Sequence, residues 1–332
     1  MSLTSPAALE SARARISAAS AIVRTPLIPV PVKDLVPGSE HPLRLKAENL
    51  QTTGAFKIRG AYNRIAMLSD AERARGVVTH SSGNHAQAVA LSARGLGIHA
   101  IVVMPETASA VKIEATRALG AEVRTVPADS YRDAALALAA DHGHTLVPPY
   151  DDPGVIAGQG TVGLEILEDL PGDFTVLVPV GGGGLISGIG AAVKLLRPSC
   201  RVIGVEPELA GDAAESLRTG RISRWTATQT GRTLADGLRT PALGDLTWQH
   251  VRAHVDGIIT VSEAEIRASM RFIASRARLV TEPSGAVATA AFLFHQDQLP
   301  AGLPCVAVIS GGNVTAGLLA DVLRGEKETT AA

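Results

Sequence analysis

Lys57 lies in a sequence setting that is unusual for a lysine. It stands between Phe56 and Ile58, with Gly54 and Gly60 close on either side. Most lysines of soluble proteins are surface residues, but one flanked by apolar neighbours is expected to be partly buried, and burial lowers the pKa of its amine. A neutral amine is a nucleophile that can form a Schiff base with a carbonyl compound. Taken alone, the pattern also fits an ordinary surface lysine.

Four consecutive glycines (Gly181, Gly182, Gly183 and Gly184) follow an apolar, strand-like run and precede a helical pattern that begins at Leu185. Glycine lets backbone N–H groups approach a ligand closely, and a helix N-terminus adds partial positive charge. The loop lacks the lysine of a P-loop, and Ser187 stands where a dinucleotide motif needs its third glycine. The pattern predicts anion binding, phosphate included, rather than a simple tight turn.

A second strand-to-helix junction carries polar groups. Ser81, Ser82, Gly83, Asn84 and His85 offer hydroxyls, a glycine-freed backbone and an amide at a predicted helix start. Such a set is suited to holding a carboxylate. An ordinary Ser/Asn helix cap is the alternative.

Ser310 comes directly after the apolar run 305–309, at a strand end of the kind where α/β proteins bind ligands. Short strands and helices alternate along the chain, which predicts an α/β fold with parallel sheets. The predicted strands are 43–47, 77–79, 98–104, 122–126, 145–147, 174–180, 202–205, 257–261 and 305–309. The predicted helices are 7–20, 57–68, 84–96, 108–119, 131–142, 156–169, 185–196, 263–275 and 286–294.

Composition excludes several classes of protein. The 332 residues are 46% hydrophobic and 19% charged, as in a compact globular chain. A net charge of -1 and 3% aromatic residues argue against nucleic-acid binding. We see no apolar run of membrane-spanning length and no signal-peptide pattern at the start. Cys200 and Cys305 are expected to be separate thiols, with the cytoplasm as the default location.

The motifs, taken in order, resemble a known family. They are Gly-Ala-Phe-Lys-Ile-Arg-Gly-Ala from residue 54, Ser-Ser-Gly-Asn-His from 81, Val-Ile-Ala-Gly-Gln-Gly-Thr from 155, the glycine run with Leu185, and Ser-Gly-Gly-Asn from 310. Together they resemble the serine/threonine dehydratase and serine racemase family of fold-type II pyridoxal-phosphate enzymes, over about residues 20–320. The resemblance implies pyridoxal 5'-phosphate as cofactor and two α/β lobes, like tryptophan synthase β. We expect a large lobe of residues 1–68 and 152–332 and a small inserted lobe of residues 69–151.

The resemblance also implies roles for individual residues. Lys57 would form the Schiff base with the cofactor, Phe56 would pack against its ring, and Asn84 would bond its 3-hydroxyl. The glycines from Gly181 to Gly184, with Leu185, would hold the phosphate, and Ser310 would contact the ring nitrogen. A serine hydroxyl need not keep that nitrogen protonated, which weakens the ring as an electron sink and suits prompt loss of a β-hydroxyl. We also expect Lys57, once released from the cofactor by the substrate, to take the substrate's Cα proton as general base.

Substrate recognition is expected to involve Ser81, Ser82, Gly83, Asn84, His85 and Arg132. Racemase-like members resemble this chain at Ser82, where the serine acts as acid and base on the face opposite the lysine, whereas many dedicated threonine dehydratases carry alanine. A structural or carboxylate-binding hydroxyl is the alternative. Arg132 could recognise a second carboxylate, as in 3-hydroxyaspartate, or be a surface arginine. Tyr150 resembles the aromatic residue of bacterial dehydratases rather than the asparagine of animal racemases.

A cation site is implied after the predicted strand 202–205. Glu206, the carbonyl of Ala210 and Asp212 match the pattern of family members that hold a structural Mg²⁺ or Ca²⁺, and oxygen ligands suit these ions. A solvated acidic loop is the alternative. His250 and His254 have helical spacing but no third partner, so we interpret them as ordinary helix residues rather than zinc ligands.

The sequence thus predicts a pyridoxal-phosphate-dependent ammonia-lyase that eliminates water from L-serine or L-threonine to give a 2-oxo acid and ammonia. Serine racemase and threo-3-hydroxyaspartate ammonia-lyase are the closest alternatives. A catalytically inactive protein that binds the cofactor for structural or regulatory purposes is a third, of a different class. We expect a homodimer that acts on a small hydroxy amino acid and binds neither nucleic acid nor membrane.

Overall fold

The computed structural model describes residues 2–32, 42–128 and 130–325. The strands within these ranges are β1 Leu27–Val30, β2 Leu43–Ala47, β3 Val77–His80, β4 Ala100–Pro105, β5 Glu122–Val126, β6 Thr145–Leu146, β7 Thr175–Pro179, β8 Arg201–Pro207, β9 Gly257–Val261 and β10 Cys305–Ile309. The helices are α1 Pro6–Ser17, α2 Lys57–Ala66, α3 Asp70–Arg75, α4 Asn84–Gly95, α5 Ala110–Ala118, α6 Tyr131–His142, α7 Pro153–Asp169, α8 Gly184–Leu196, α9 Asp212–Thr219, α10 Ala227–Thr230, α11 Asp245–His254, α12 Glu263–Phe272, α13 Pro283–Phe294 and α14 Ala316–Arg324.

The strands form two sheets. The larger has the order β1-β2-β10-β7-β8-β9 and the smaller β5-β4-β3-β6. The described pairings are parallel except for β1 with β2. The predicted α/β class with parallel sheets is therefore confirmed. The four strands of the smaller sheet come from inside the stretch 69–151, and those of the larger sheet from outside it, while the lobe boundaries themselves stay a prediction.

Strand β7 shows why the large sheet is buried on both faces. Val176 and Val178 pack in one hydrophobic cluster together with residues of α7 and α8, whereas Leu177 packs in another with residues of α12 and α13. Successive side chains of a strand point to opposite faces, so a strand covered by helices on both sides needs apolar residues throughout. This explains the unbroken apolar run that predicted the strand.

Several elements were not predicted. The proline-rich start of the stretch 26–37 contains β1, which pairs antiparallel with β2 at the sheet edge, where proline is tolerated. The short helix α3 was missed although Ser69 and Glu72 form a capping box. Helices α9 and α14 were also missed, and α12 ends in a π-helical turn, Ile273–Ala277, where a continuous helix was expected. Residues 33–37 and the tail beyond Gly325 lie outside the described residues.

The start of α2 is anchored by a buried ionic cluster. The Arg59 guanidinium contacts Glu48 at 2.8 Å and Glu165 at 2.7 Å, and the Lys46 amine contacts Glu165 at 2.6 Å. Arg59, Lys46 and Glu48 are 0% exposed. Within this cluster two cations balance two carboxylates, so each of its buried charges has a partner of opposite sign. Because Arg59 is two residues from Lys57, the cluster fixes the position of the helix start that carries the lysine.

Candidate active site

A cavity of about 520 Å³ brings together residues of both sheets. The cofactor and substrate residues predicted from the sequence all line it, namely Phe56, Lys57, Ser81, Ser82, Gly83, Asn84, His85, Arg132, Gly181, Gly182, Gly183, Gly184, Leu185 and Ser310. The predicted cation ligands Glu206, Ala210 and Asp212 are not among its lining residues. Sequence reasoning missed Glu282 and Ser284, which also line the cavity. The sequence did contain a signal for a helix start at this point, because Pro283 directly follows Glu282 and proline is favoured at the first position of a helix.

Lys57 is the first residue of α2, and its amine reaches the cavity. The Nζ atom donates a hydrogen bond to the carbonyl of Pro149 at 2.8 Å and lies 5.1 Å from the centroid of the Phe56 ring. Burial lowers the pKa of Lys57 to about 8, against the opposing effect of the Glu282 carboxylate. The expected partial burial of this lysine is confirmed.

The lowered pKa predicts the reactivity of the amine. With a pKa of about 8 in place of 10.5, roughly a tenth of Lys57 is neutral at pH 7, some 300-fold more than for an ordinary lysine. Because only the neutral amine attacks an aldehyde, we expect its modification rate in cofactor-free protein to rise with pH and level off above a midpoint near 8. Labelling with pyridoxal and borohydride, read by peptide mapping, measures this rate. Lys57→Ala supplies the background, and a midpoint near 10.5 would contradict the prediction.

The glycine loop is shaped by its neighbours. A Cβ atom at residue 182 would lie 2.3 Å from the Tyr150 ring, and one at residue 184 would lie 2.9 Å from the Tyr150 Cβ. Gly183 has φ +89°, a conformation that favours glycine, and caps α8. The Thr247 hydroxyl holds the Gly182 carbonyl at 2.8 Å. The first N–H groups of α8 lack helical partners, so this loop is a suitable cradle for an anion.

The second polar junction lies at the start of α4. The His85 ring nitrogen Nε2 is 2.9 Å from the Val147 carbonyl, which can only accept, so Nε2 carries the hydrogen. Burial, with the nearby Lys57 charge, lowers the pKa of His85 to about 3, and the imidazole is neutral. The backbone N–H of Gly83 donates to the Ser81 hydroxyl at 3.2 Å. Ser82 is half-buried in the cavity wall.

Asn84 is held from two sides. Its Nδ2 donates to Glu282 Oε1 at 2.8 Å, and its Oδ1 accepts from Asn313 Nδ2 at 2.8 Å. Burial and the Asp236 charge raise the pKa of Glu282 to about 8. Ser310 is 4% exposed, and its carbonyl accepts from the Phe56 N–H at 3.0 Å. This last bond ties the end of β10 to the segment that carries Lys57.

Arg132 lies on the small-sheet side of the cavity, next to two aromatic rings. The rings of His80 and Tyr131 meet edge to face at 5.7 Å between centroids. Burial and the Arg132 charge lower the pKa of His80, and burial raises the pKa of Tyr150. Arg132 is exposed, so the structure gives it access both to solvent and to a molecule in the cavity.

The predicted cation ligands form a separate buried group at the end of β8. Glu206 accepts from the N–H groups of Ala213 at 3.1 Å and Ala214 at 2.7 Å. Both carboxylate oxygens of Asp212 are buried without a hydrogen-bond partner. Burial, followed by the Asp212 charge, raises the pKa of Glu206. Across the described residues no three His, Cys, Asp or Glu side chains converge on one point. The expected cation site contains only two such side chains, and its third ligand is a backbone carbonyl.

Other expectations outside the cavity were tested as well. His250 and His254 both lie in α11, and His250 uses both ring nitrogens, Nδ1 with the Leu246 carbonyl at 2.9 Å and Nε2 with the Thr4 N–H at 2.9 Å. Cys200 and Cys305 are free and buried, as expected. Among the residues with described positions, no helix is both long and apolar enough to cross a membrane.

The fold and the cavity define a two-sheet α/β protein in which a lysine and a glycine-rich loop line the same cavity. A family model described as pyridoxal-phosphate dependent enzyme matches residues 18–311. The chain therefore belongs to this family of enzymes, and its structural relatives have fold type II.

Individual relatives are similar over most of their length. An L-threonine ammonia-lyase of Thermotoga maritima is 48% identical over 299 residues, covering 89% of this chain and 73% of that protein. An L-threo-3-hydroxyaspartate ammonia-lyase of Saccharomyces cerevisiae is 43% identical over 285 residues, covering 85% and 86%. The solved structure of maize serine racemase has a TM-score of 0.89 at 38% identity and covers 98% of both chains.

Proposed function

We propose that the chain is a pyridoxal-phosphate-dependent ammonia-lyase that removes water from L-threonine and L-serine, giving a 2-oxo acid and ammonia. The observation that carries this proposal is the convergence of Lys57, Asn84, the glycine loop and Ser310 on one cavity. The relatives named as threonine ammonia-lyases or dehydratases, 44% to 48% identical, support the choice of substrate. Serine racemase and 3-hydroxyaspartate ammonia-lyase remain the alternatives.

The residues present fit pyridoxal phosphate. The Lys57 amine would bond the cofactor's aldehyde carbon, and Phe56 would pack on the ring. Asn84 would contact the 3-oxygen, and the Ser310 hydroxyl would contact the ring nitrogen. Gly181, Gly182, Gly183, Gly184 and Leu185 would hold the phosphate, because the loop carries no side chains of its own up to Leu185 and the first N–H groups of α8 lack helical partners. When bound, the cofactor withdraws electrons from the substrate's Cα.

The chain's own groups would bind the substrate and move its proton. The start of α4, with Ser81, Gly83 and the N–H of His85, would hold the substrate carboxylate at a positive helix end. Because the His85 ring is neutral, the carboxylate would be held by hydrogen bonds and the helix end and not by an ion pair with that ring. Lys57 would take the Cα proton, since a pKa of about 8 leaves its amine neutral often enough to act as a base near physiological pH.

The experiment that tests the proposal is a 2-oxo acid assay over L-serine, D-serine, L-threonine and both threo-3-hydroxyaspartates, with chiral analysis of the remaining amino acid. We expect the highest kcat/KM for L-threonine or L-serine. A preference for 3-hydroxyaspartate, or chiral inversion faster than 2-oxo acid formation, would replace the proposal with one of its alternatives. An absorbance change with L-serine would exclude an inactive binding protein.

Ser82 is proposed as a second acid and base on the substrate face opposite Lys57, because it is half-buried in the cavity wall. Ser82→Ala is expected to lower D-serine dehydration and racemisation about 100-fold or more, while L-serine elimination stays within a few-fold. The same two assays on Ser81→Ala provide the matched control. Equal loss toward both enantiomers would indicate that Ser82 only binds the carboxylate.

Arg132 supports hydroxyaspartate as a second candidate substrate. Arg132 lines the cavity, and the fork of N–H donors of a guanidinium suits a second carboxylate. The yeast relative that is 43% identical is named for that substrate. Arg132→Leu should then raise the KM for L-threo-3-hydroxyaspartate without changing that for L-serine, and an equal effect on both would remove the candidate.

We further propose that Glu206, the Ala210 carbonyl and Asp212 bind a structural Mg²⁺ or Ca²⁺. The unpartnered, buried oxygens of Asp212 support a cation there, because buried carboxylates otherwise find donors. Chelation is expected to lower the melting temperature by several degrees and Mg²⁺ to restore it, since a ligand at 100 times its Kd stabilises by about 2.7 kcal/mol. Asp212→Asn should melt at one temperature with and without metal. A melting point that chelator does not change would contradict the site.

We also propose three broader properties of the protein: lobe boundaries at residues 69 and 151, a homodimer, and a cytoplasmic location. The two strand sets support the lobes, and two free, buried cysteines suit a reducing compartment. Exposed Leu50 and Val280 offer apolar surface to a second copy. Light scattering of the purified protein tests the dimer, and a monomer at micromolar concentration would remove it.

A further inference from the structure

The amide of Asn84 has three hydrogen-bonding groups, and two of them are occupied. One N–H donates to Glu282 Oε1 at 2.8 Å, and the carbonyl oxygen accepts from Asn313 Nδ2 at 2.8 Å. One N–H is left over. Since Asn84 lines the cavity, this remaining donor is the group that it can offer to a bound molecule.

The orientation of the Asn84 amide follows from what its two partners donate and accept. Asn313 Nδ2 donates to the Thr53 carbonyl at 2.8 Å as well as to Asn84, so the Asn313 amide has only one orientation. An ionised Glu282 carboxylate has no hydrogen to donate. Asn313 therefore requires the oxygen of Asn84 on its side, which turns the nitrogen toward Glu282, and an ionised Glu282 requires the same orientation.

Glu282 is itself held in a confined position. A Cβ atom at residue 311 would lie 2.5 Å from its Oε1, so the carboxylate fits only because a glycine is there. The side chain is 5% exposed. The charged groups that act on it are Asp236, Lys112 and Lys57. Such confinement leaves Glu282 little freedom to move away from Asn84.

We propose that Glu282 is a positioning residue, which turns the Asn84 amide so that an N–H, and not its carbonyl, faces the 3-oxygen of the cofactor. The proposal rests on the proposed contact between Asn84 and that oxygen. An N–H donor stabilises the ionised 3-oxygen, whereas an amide carbonyl would favour the form that keeps its proton. The visible absorption of the bound cofactor depends on that ionisation and reports the orientation without any turnover.

Glu282→Leu removes the acceptor while keeping a side chain of similar bulk. We expect the absorption band of the cofactor with an ionised 3-oxygen to weaken and the pH midpoint of that ionisation to rise. The Kd for pyridoxal phosphate should rise about tenfold, as for the loss of one hydrogen bond. Glu265→Gln is the matched control, because this carboxylate caps α12 and contacts His295 outside the cavity. It should keep the spectrum and the Kd of the unchanged protein.

A paired exchange separates orientation from structural support. Asn84→Asp places two carboxylates together and should lower the melting temperature. Adding Glu282→Gln restores a hydrogen bond between the two positions with reversed polarity, so the melting temperature should recover. The absorption band should stay weak, because residue 84 then presents oxygen to the cofactor. Recovery of the band together with the melting temperature would show a merely structural role and overturn the proposal.

Asn84→Ala distinguishes this inference from the proposed function. If Asn84→Ala weakens the band but Glu282→Leu changes neither band nor Kd, the positioning role is wrong and the contact of Asn84 stands. If Asn84→Ala itself leaves the band and the Kd unchanged, the proposed contact of Asn84 with the 3-oxygen is wrong. The positioning role of Glu282 is then wrong as well, because it rests on that contact.

Discussion

Lys57→Ala is expected to lower 2-oxo acid formation from L-threonine at least about 1,000-fold, the scale of loss for a general base in this role. The variant loses both the amine that would bond the cofactor and the group that would take the Cα proton. The fold should survive, because the substitution shortens a side chain at a cavity and leaves the Arg59 cluster intact. Steady-state assays with circular dichroism as a folding check measure both effects.

Two further variants make this prediction specific. Lys57→Arg keeps a cation near the Pro149 carbonyl, but a guanidinium stays protonated and cannot act as base or nucleophile, so it should be as inactive as alanine. Lys194→Ala removes a lysine that pairs with Asp256 away from the cavity and should retain activity within a few-fold. Substantial turnover by Lys57→Ala would refute the catalytic scheme.

Gly182→Ala is expected to weaken cofactor binding by about 100-fold or more. The added methyl group would lie 2.3 Å from the Tyr150 ring, far inside van der Waals contact, so the loop or the ring must shift. Overpacking of this kind costs typically 1–3 kcal/mol, and a displaced loop also misdirects the N–H groups meant for the phosphate. Fluorescence titration with pyridoxal phosphate measures the change in Kd.

A second substitution should relieve the clash between the added methyl group and the Tyr150 ring. Adding Tyr150→Ala to Gly182→Ala removes the ring that the methyl group meets, so part of the lost affinity should return. Gly95→Ala is the control for a glycine near a helix end, because a Cβ atom there meets no atom within 4 Å. If Gly182→Ala binds the cofactor as tightly as the unchanged protein, the loop does not hold the phosphate in the proposed way.

Much of the candidate site was predictable because its motifs are local. The glycine run and the Ser310 segment each follow an apolar strand, and in a parallel sheet such strand ends gather at one edge. Strand β10 pairs with β2 and β7, which places Ser310 near the segments after both. Two of the missed elements had weaker patterns, since β1 contains a proline and α3 is only six residues long with no buried side chain.

The sequence by itself determined which chemical groups are present and in what order, namely the lysine, the glycine loop and the polar helix starts. The tertiary structure decided how these groups are tuned. Asn84 bonds Glu282 across 198 residues and Asn313 across 229, and burial moves the pKa of Lys57 to about 8. Neighbours along the chain specify strands, helices and turns, whereas burial and contacts between distant residues arise only when the sheets and helices pack together.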